Sequence, residues 1–351
     1  MRDIGSKTNR IHTYVIYLTV QNLQIWYIDL EEGDTMKKRL LILTIIILFI
    51  NQQEAHGQAC CSSGTPLLST MELPGTPPGQ WQFVFTYDFN YLDDVIAGTQ
   101  RVGESQRKRI SQALLLEISY GITHRLSVSA MITGIQQERR VRSPLEGTTG
   151  EITRTRGIGD GIVLMKYTLH QQTIMDQREL SIGIGPKIPL GRSQVRIDNI
   201  LLPADLQPGS GAWDLVFWAY GFKGFVPRSP TSLFGSITYR ITGSNDRFGI
   251  NDTGYSFGNE FQASFGAGYR TDTPFDATLM IRYRITGKDR FDGDFVSNTG
   301  GQWLYAVPGI NIKLHELFQM RIDGQIPLYR NLKGTQLTTT FTSSVSFFYS
   351  L

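Results

Sequence analysis

Between Trp81 and Leu351 the chain alternates apolar and polar residues in twelve successive stretches, most of them with a period of two. That period sends consecutive side chains to opposite faces, which is the geometry of a β-strand and not of a helix. The first stretch is the clearest: Trp81, Phe83, Phe85, Tyr87, Phe89 and Tyr91 share one face, while Gln82, Thr86, Asp88 and Asn90 interrupt the other. Six aromatics in succession on one face are unusual for a soluble sheet. In a transmembrane barrel the outward face meets lipid and the inward face meets water or polar groups. The pattern predicts strands at 80–91, 109–120, 125–136, 160–169, 178–188, 212–225, 231–241, 256–270, 275–286, 302–314, 317–328 and 337–350. The expected fold is therefore all-β, a transmembrane antiparallel β-barrel of about twelve strands over residues 80–351. Ten or fourteen strands stay open, because Leu215 and Phe217 on one side and Val216, Trp218 and Tyr220 on the other make both faces of one stretch apolar.

The connectors give an independent test, since bacterial barrels have short periplasmic turns and longer extracellular loops. The two classes alternate: 92–108, 137–159, 189–211, 242–255 and 287–301 are long, and 121–124, 170–177, 226–230, 271–274 and 315–316 are short. The long set is expected outside. Pro186, Pro308 and Pro327 fall inside strands, where a missing N–H breaks the ladder, so they are expected at bulges or strand ends.

The N-terminus supports export. Lys37, Lys38 and Arg39 precede an apolar run from Leu40 to Ile50 broken only by Thr44, and Ala55-His56-Gly57 is a small-x-small cleavage site. Residues 36–57 are read as a signal peptide that starts at Met36, residues 1–35 as an upstream extension from an early start, and 58–79 as a Pro-rich periplasmic segment or small plug. Cys60 and Cys61, the only cysteines, sit together behind the signal. A lipid-modified Cys60 and free or paired thiols are both open.

Composition adds little beyond this frame. Glycine, 36 of 351 residues, exceeds its usual share of about 7%, as suits a chain rich in turns. A net charge of +3 without a basic run excludes nucleic acid as a partner, and no cofactor is expected. His124, His170 and His315, the histidines beyond the leader, fall in or beside short turns, away from any outer-face active site, so no enzyme activity is expected. The candidate chemistry lies on the inward face. Glu117, Arg125, Lys166, Arg240, Glu260, Arg282, Arg284, Arg321 and Asp323 are expected to line the lumen, with Asp88, Lys187 and Lys313 in the same phase. Such a set either favours anionic and polar solutes or cross-links a narrow barrel. Tyr239-Arg240-Ile241-Thr242-Gly243 recurs as Tyr283-Arg284-Ile285-Thr286-Gly287, which reads as a duplicated hairpin; its Asp-rich loops could alternatively hold a divalent cation.

Three motifs carry a family resemblance: Gly157-Ile158-Gly159-Asp160, Gly183-Ile184-Gly185-Pro186-Lys187 and Gly209-Ser210-Gly211-Ala212-Trp213-Asp214. With them, residues 80–351 resemble the outer-membrane family of the phenol-degradation MetA pathway. The resemblance implies a channel in the outer membrane of a Gram-negative bacterium for passive uptake of a small organic solute, often hydrophobic or aromatic, and the basic residues of the inward face leave an anionic one open. Its partners would be outer-membrane lipid, the outer-membrane assembly machinery and the solute. A non-conducting barrel whose long loops bind a ligand is the alternative.

Overall fold

The computed structural model describes residues 14–19, 22–27, 75–103, 106–142, 150–173, 175–225, 229–249 and 253–351. Residues 36–57, expected to be a signal peptide, and the cysteines lie outside the described residues. Within residues 1–56, which form a separate unit, β1 (Tyr14–Thr19) and β2 (Asn22–Tyr27) make an antiparallel hairpin.

The second unit contains β3 (Trp81–Gly98), β4 (Gln100–Arg101), β5 (Arg107–Gly121), β6 (Leu126–Val141), β7 (Glu151–Ile158), β8 (Gly161–His170), β9 (Arg178–Ile188), β10 (Arg196–Ile197), β11 (Ile200–Leu201), β12 (Asp214–Gly224) and β13 (Thr231–Ile241). It continues with β14 (Tyr255–Ser256), β15 (Glu260–Tyr269), β16 (Phe275–Thr286), β17 (Arg290–Phe291), β18 (Asp294–Phe295), β19 (Gly301–His315) and β20 (Phe318–Ser350). Each long strand pairs antiparallel with the next, and β20 returns to β3, so eleven elements close an all-β barrel with β4 and β7 as additions. Within β20, residues up to Leu332 pair with β19 and residues from Leu332 onward pair with β3. The reversal comes at Gly334, whose φ of +82° is a conformation that side-chain-bearing residues rarely adopt.

Alternation explains the wall. On β3, Trp81, Phe85 and Tyr87 are exposed on the outer surface, while Val84, Thr86 and Asp88 are buried inside. Inward positions elsewhere are largely small and polar, such as Ser127, Ser129, Ser181, Ser236, Thr238 and Ser264, because a narrow barrel leaves little radial room. Thr86 and Ser346 join their hydroxyls at 2.9 Å across the β3–β20 seam. The three prolines fall where pairing is interrupted. Gly185 and Pro186 have no ladder partner on β8, Val307 and Pro308 have none on β20, and Pro327 lies at a register shift.

The strand predictions are corrected at the long-connector end. β3, β5 and β6 run beyond the expected strands at their long-connector ends, and β7, expected as loop, pairs with β6 over Gly134–Val141. At the other end, residues 75–80 cross the barrel margin: Gly79 donates to the Gly121 carbonyl at 2.8 Å, and the Gly75 amide reaches the inward Glu179 carboxylate at 3.3 Å.

Candidate functional site in the barrel lumen

The three glycine-rich motifs converge on one buried lysine. Lys187 Nζ lies 2.7 Å from Asp160 Oδ2 and 3.1 Å from Asp214 Oδ2, and it donates to the Ala212 carbonyl at 2.9 Å and to the Ser210 hydroxyl. Ser210 donates in turn to Asp160 at 2.6 Å. Glycine is needed for this knot, since a Cβ on Gly209 would stand 2.5 Å from Gly191 Cα.

From this point charges alternate around the inner wall. Asp214 faces Arg240 at 3.5 Å, Arg240 bonds Glu260 at 2.8 Å, and Glu260 bonds Arg284 at 2.8 Å. Arg284 then lies over the Trp303 ring at 5.2 Å. The belt Asp160, Lys187, Asp214, Arg240, Glu260, Arg284 thus holds three carboxylates and three cations, with a formal charge of zero. The two arginines of the duplicated Tyr-Arg-Ile-Thr-Gly segment meet on the same carboxylate, because β13 and β16 flank β15.

The other expected residues distribute as follows. Glu117 and Lys166 are buried and approach at 3.4 Å, and Lys166 Nζ sits 4.9 Å over the Trp218 ring. Arg282 is buried and donates to Ser264 at 3.4 Å and to Gln325. Arg321 and Asp323 pair at 3.3 Å and are half-buried. Arg125 is a correction: it lies in the exposed short turn before β6, where Thr123 Oγ1 accepts from its amide at 3.2 Å, because the strand starts one residue later than expected. Lys313 is likewise exposed and pairs with Asp276 at 2.9 Å.

Beside these charges the lumen carries two apolar clusters. Met131, Ile162, Leu164, Val216, Trp218 and Tyr220 form one, with Phe222 packed against it; Trp218 and Tyr220 stack at 6.0 Å with planes 2° apart. Ile96, Met280, Trp303, Tyr305, Val307 and Leu332 form the other, with Phe234 against it. Phe222 and Phe234 are register partners on β12 and β13, so the clusters meet at the short-turn end. Both faces of β12 are apolar because one meets the lumen cluster and the other the outer surface. Behind the junction an open, outward-facing pocket of about 530 Å³ includes the exposed Leu180 and Phe265 together with Gly221, Gly235, Phe222 and Phe234. Gly221 and Gly235 oppose each other and thin the wall there.

At the long-connector end, the buried turn Ala204–Leu206 lies between β11 and β12 and is tied to the inner face of β5. Arg109 donates to the Asp205 carboxylate at 3.0 Å and to its carbonyl at 2.8 Å. Ala204, Phe248 and Tyr255 pack into a small core of the connectors. Asp289 accepts from the Tyr255 hydroxyl at 2.6 Å and the Gly258 amide at 2.9 Å. Burial raises the Asp289 carboxyl above its usual range, and burial together with Asp289 raises the Tyr255 phenol. Among the described residues no cluster of three His, Cys, Asp or Glu side chains could hold a metal ion. His124 is exposed in a short turn, His315 is exposed at the end of β19, and His170 pairs with Asp176 at 2.9 Å.

Asp160, Asp205, Asp214 and Arg109 were absent from the expected set. Asp160 and Asp214 fall in the expected strands 160–169 and 212–225, but each stands at a glycine-rich strand start with no periodic polar face to mark it, and nothing along the chain links Arg109 to Asp205.

No protein-family model matches the chain, and no curated protein matches it by sequence. Solved structures do. An outer-membrane channel from Pseudomonas putida F1 aligns with a TM-score of 0.63 at 16% identity, covering 79% of this chain and 97% of that one. The Ralstonia pickettii toluene transporter TbuX aligns with a TM-score of 0.40 at 9% identity, over 84% of this chain and 96% of that one. The likeness to the Pseudomonas channel is one of fold.

Proposed function

We propose that this protein is an outer-membrane channel of a Gram-negative bacterium for a small, uncharged, hydrophobic organic solute. The barrel would cross the membrane twelve times, with β20 counted as two passes, and its long connectors would face outside. The outward aromatic run from Trp81 to Tyr91 supports the membrane reading. Ten strand rises, roughly 33 Å, tilted by about 40°, span roughly 25 Å, the height of a barrel's apolar band.

The observation that carries the solute class is the pairing of a charge-neutral belt with apolar clusters. Arg240 and Arg284 are already engaged by Glu260, which leaves an anion little net attraction. The cluster from Ile96 and Trp303 through Val307 and Met280 leads to Phe234 and then Phe222. These side chains pack against one another, and a hydrophobic molecule that parted them would replace apolar contacts with apolar contacts, as pocket walls rich in apolar and aromatic groups allow. The Pseudomonas channel, an outer-membrane channel by its description, supports the same reading through its fold. In sequence, the chain would be a divergent relative of the MetA-pathway family.

The test is uptake of a radiolabelled monoaromatic hydrocarbon at low concentration by cells with and without the protein. Trp218→Ala/Phe234→Ala should lower uptake several-fold at unchanged levels of heat-modifiable barrel. A folded wild type that neither speeds uptake nor conducts in planar bilayers would overturn the channel and favour a surface-binding barrel.

A further inference from the structure

Above the aromatic run of β3, the outer surface formed by β3, β5, β6 and β7 changes from apolar to charged. Strand pairing aligns Tyr91, Ile110, Glu138 and Arg154 in one row. Arg156 lies in the row below, level with Phe89, and Lys108 and Arg140 lie in the row above. Arg154 bonds Glu138 at 2.7 Å, Arg140 bonds the same carboxylate at 2.5 Å, and Lys108 bonds Asp93 at 2.9 Å. Lys108, Arg140, Arg154 and Arg156 thus outnumber the carboxylates of Asp93 and Glu138 in these rows, which are positive on balance. The side chains of Arg140 and Arg154 remain 58% and 66% exposed, so their guanidinium groups are open to a second partner. At the same end of β12 and β13 the outer surface instead carries Leu215, Tyr239 and Ile241.

We propose that Lys108, Arg140, Arg154 and Arg156 form a binding site for the phosphates of lipid A, the membrane anchor of lipopolysaccharide. This rests on the outer-membrane reading with the long connectors outside. The cations sit where the aromatic band ends, at headgroup depth, and Tyr87, Leu114 and Ile158 below them offer an apolar surface for acyl chains. Glu138 holds two guanidinium groups side by side. Arginine suits phosphate because its planar fork donates two parallel hydrogen bonds. The site would anchor the barrel in the outer leaflet and fix the depth of the β5–β7 extension.

The experiment uses the full-length purified protein with bisphosphorylated lipid A, and separately with lipid A stripped of its phosphates. The midpoint of heat-induced barrel unfolding should rise by several degrees with the first and much less with the second. Arg140→Gln/Arg154→Gln/Arg156→Gln should lose more than half of that rise, and the triple lysine replacement should keep more of it than the glutamine variant. Equal shifts from both lipid A forms, a full shift in the glutamine variant, or an equal shift from phosphatidylglycerol vesicles would overturn the site. Orientation is read separately: Lys288→Cys should react with an impermeant maleimide on intact cells whose lipopolysaccharide has a truncated core. A cysteine that is protected there but labelled after lysis would overturn the orientation and the proposal with it, whatever the lipid A result.

Discussion

Lys187 is the residue with most at stake, since its ammonium and the carboxylates of Asp160 and Asp214 are almost wholly enclosed. Removing one partner from a buried pair leaves a charge without compensation, which typically costs about 3–5 kcal/mol. Asp160→Asn should therefore lower barrel stability substantially in urea titrations in lipid vesicles. Asp160→Asn/Lys187→Met, which removes both charges, should recover much of the loss; a double variant as weak as the sum of its single variants would show that the pair itself is not what is lost. On the outer surface, Phe85→Arg should cost roughly 2–4 kcal/mol where it falls near the bilayer midplane. Its inward neighbour Thr86 offers no room for an arginine either, because it is buried against Ser346.

At the scale of elements, the connector core is expected to respond to pH through Asp289. Burial disfavours its ionised form, with the Tyr255 hydroxyl and the Gly258 amide working against that effect. A carboxyl raised in the folded state stabilises fully below its ordinary pKa and loses that contribution as pH rises through the raised value. Amide exchange in residues 287–300, corrected for intrinsic rates, should therefore slow as pH falls from neutral toward about 4. Asp289→Asn should flatten this dependence. Arg109→Ala, which releases Asp205, should raise single-channel conductance if the Ala204–Leu206 turn narrows the mouth. How far elements were legible depended on whether outward positions were apolar. Strands 178–188, 231–241 and 275–286 match their expected bounds because alternation runs cleanly between turn residues. β7 was invisible because Arg154 and Arg156 occupy its outward positions, and the end of β3 because Leu92 and Ile96 turn inward while Asp93 points out. The lumen clusters were hidden for a related reason: a rule that sends apolar residues outward cannot place Trp303 or Met280 inside. Arg240, Glu260 and Arg284 were expected inward because polar residues in phase share a face, but that both arginines meet on Glu260 depends on β15 lying between β13 and β16.

For the whole molecule, the neutral belt predicts weak ion selectivity. Reversal potentials of the wild type under a salt gradient should lie near zero. Glu260→Gln, which leaves Arg240 and Arg284 in excess, should shift them toward anion preference. A strongly selective wild type would show that charges outside the belt govern the pore. The seam between β3 and β20 has a further consequence, in time. It joins Thr86 to Ser346, residues 260 positions apart, and every other long-strand contact of the ring joins elements that follow closely in sequence. Hairpins can form early and locally, but the ring cannot shut until its most distant segments meet, and contacts of high sequence separation are slow to form. Until then the first and last strands each present an unpaired edge of the kind that recruits other chains. Assembly is therefore a race between closure and aggregation, and a variant that weakens only the seam should lower the yield of folded barrel far more than it lowers the stability of the barrels that do form.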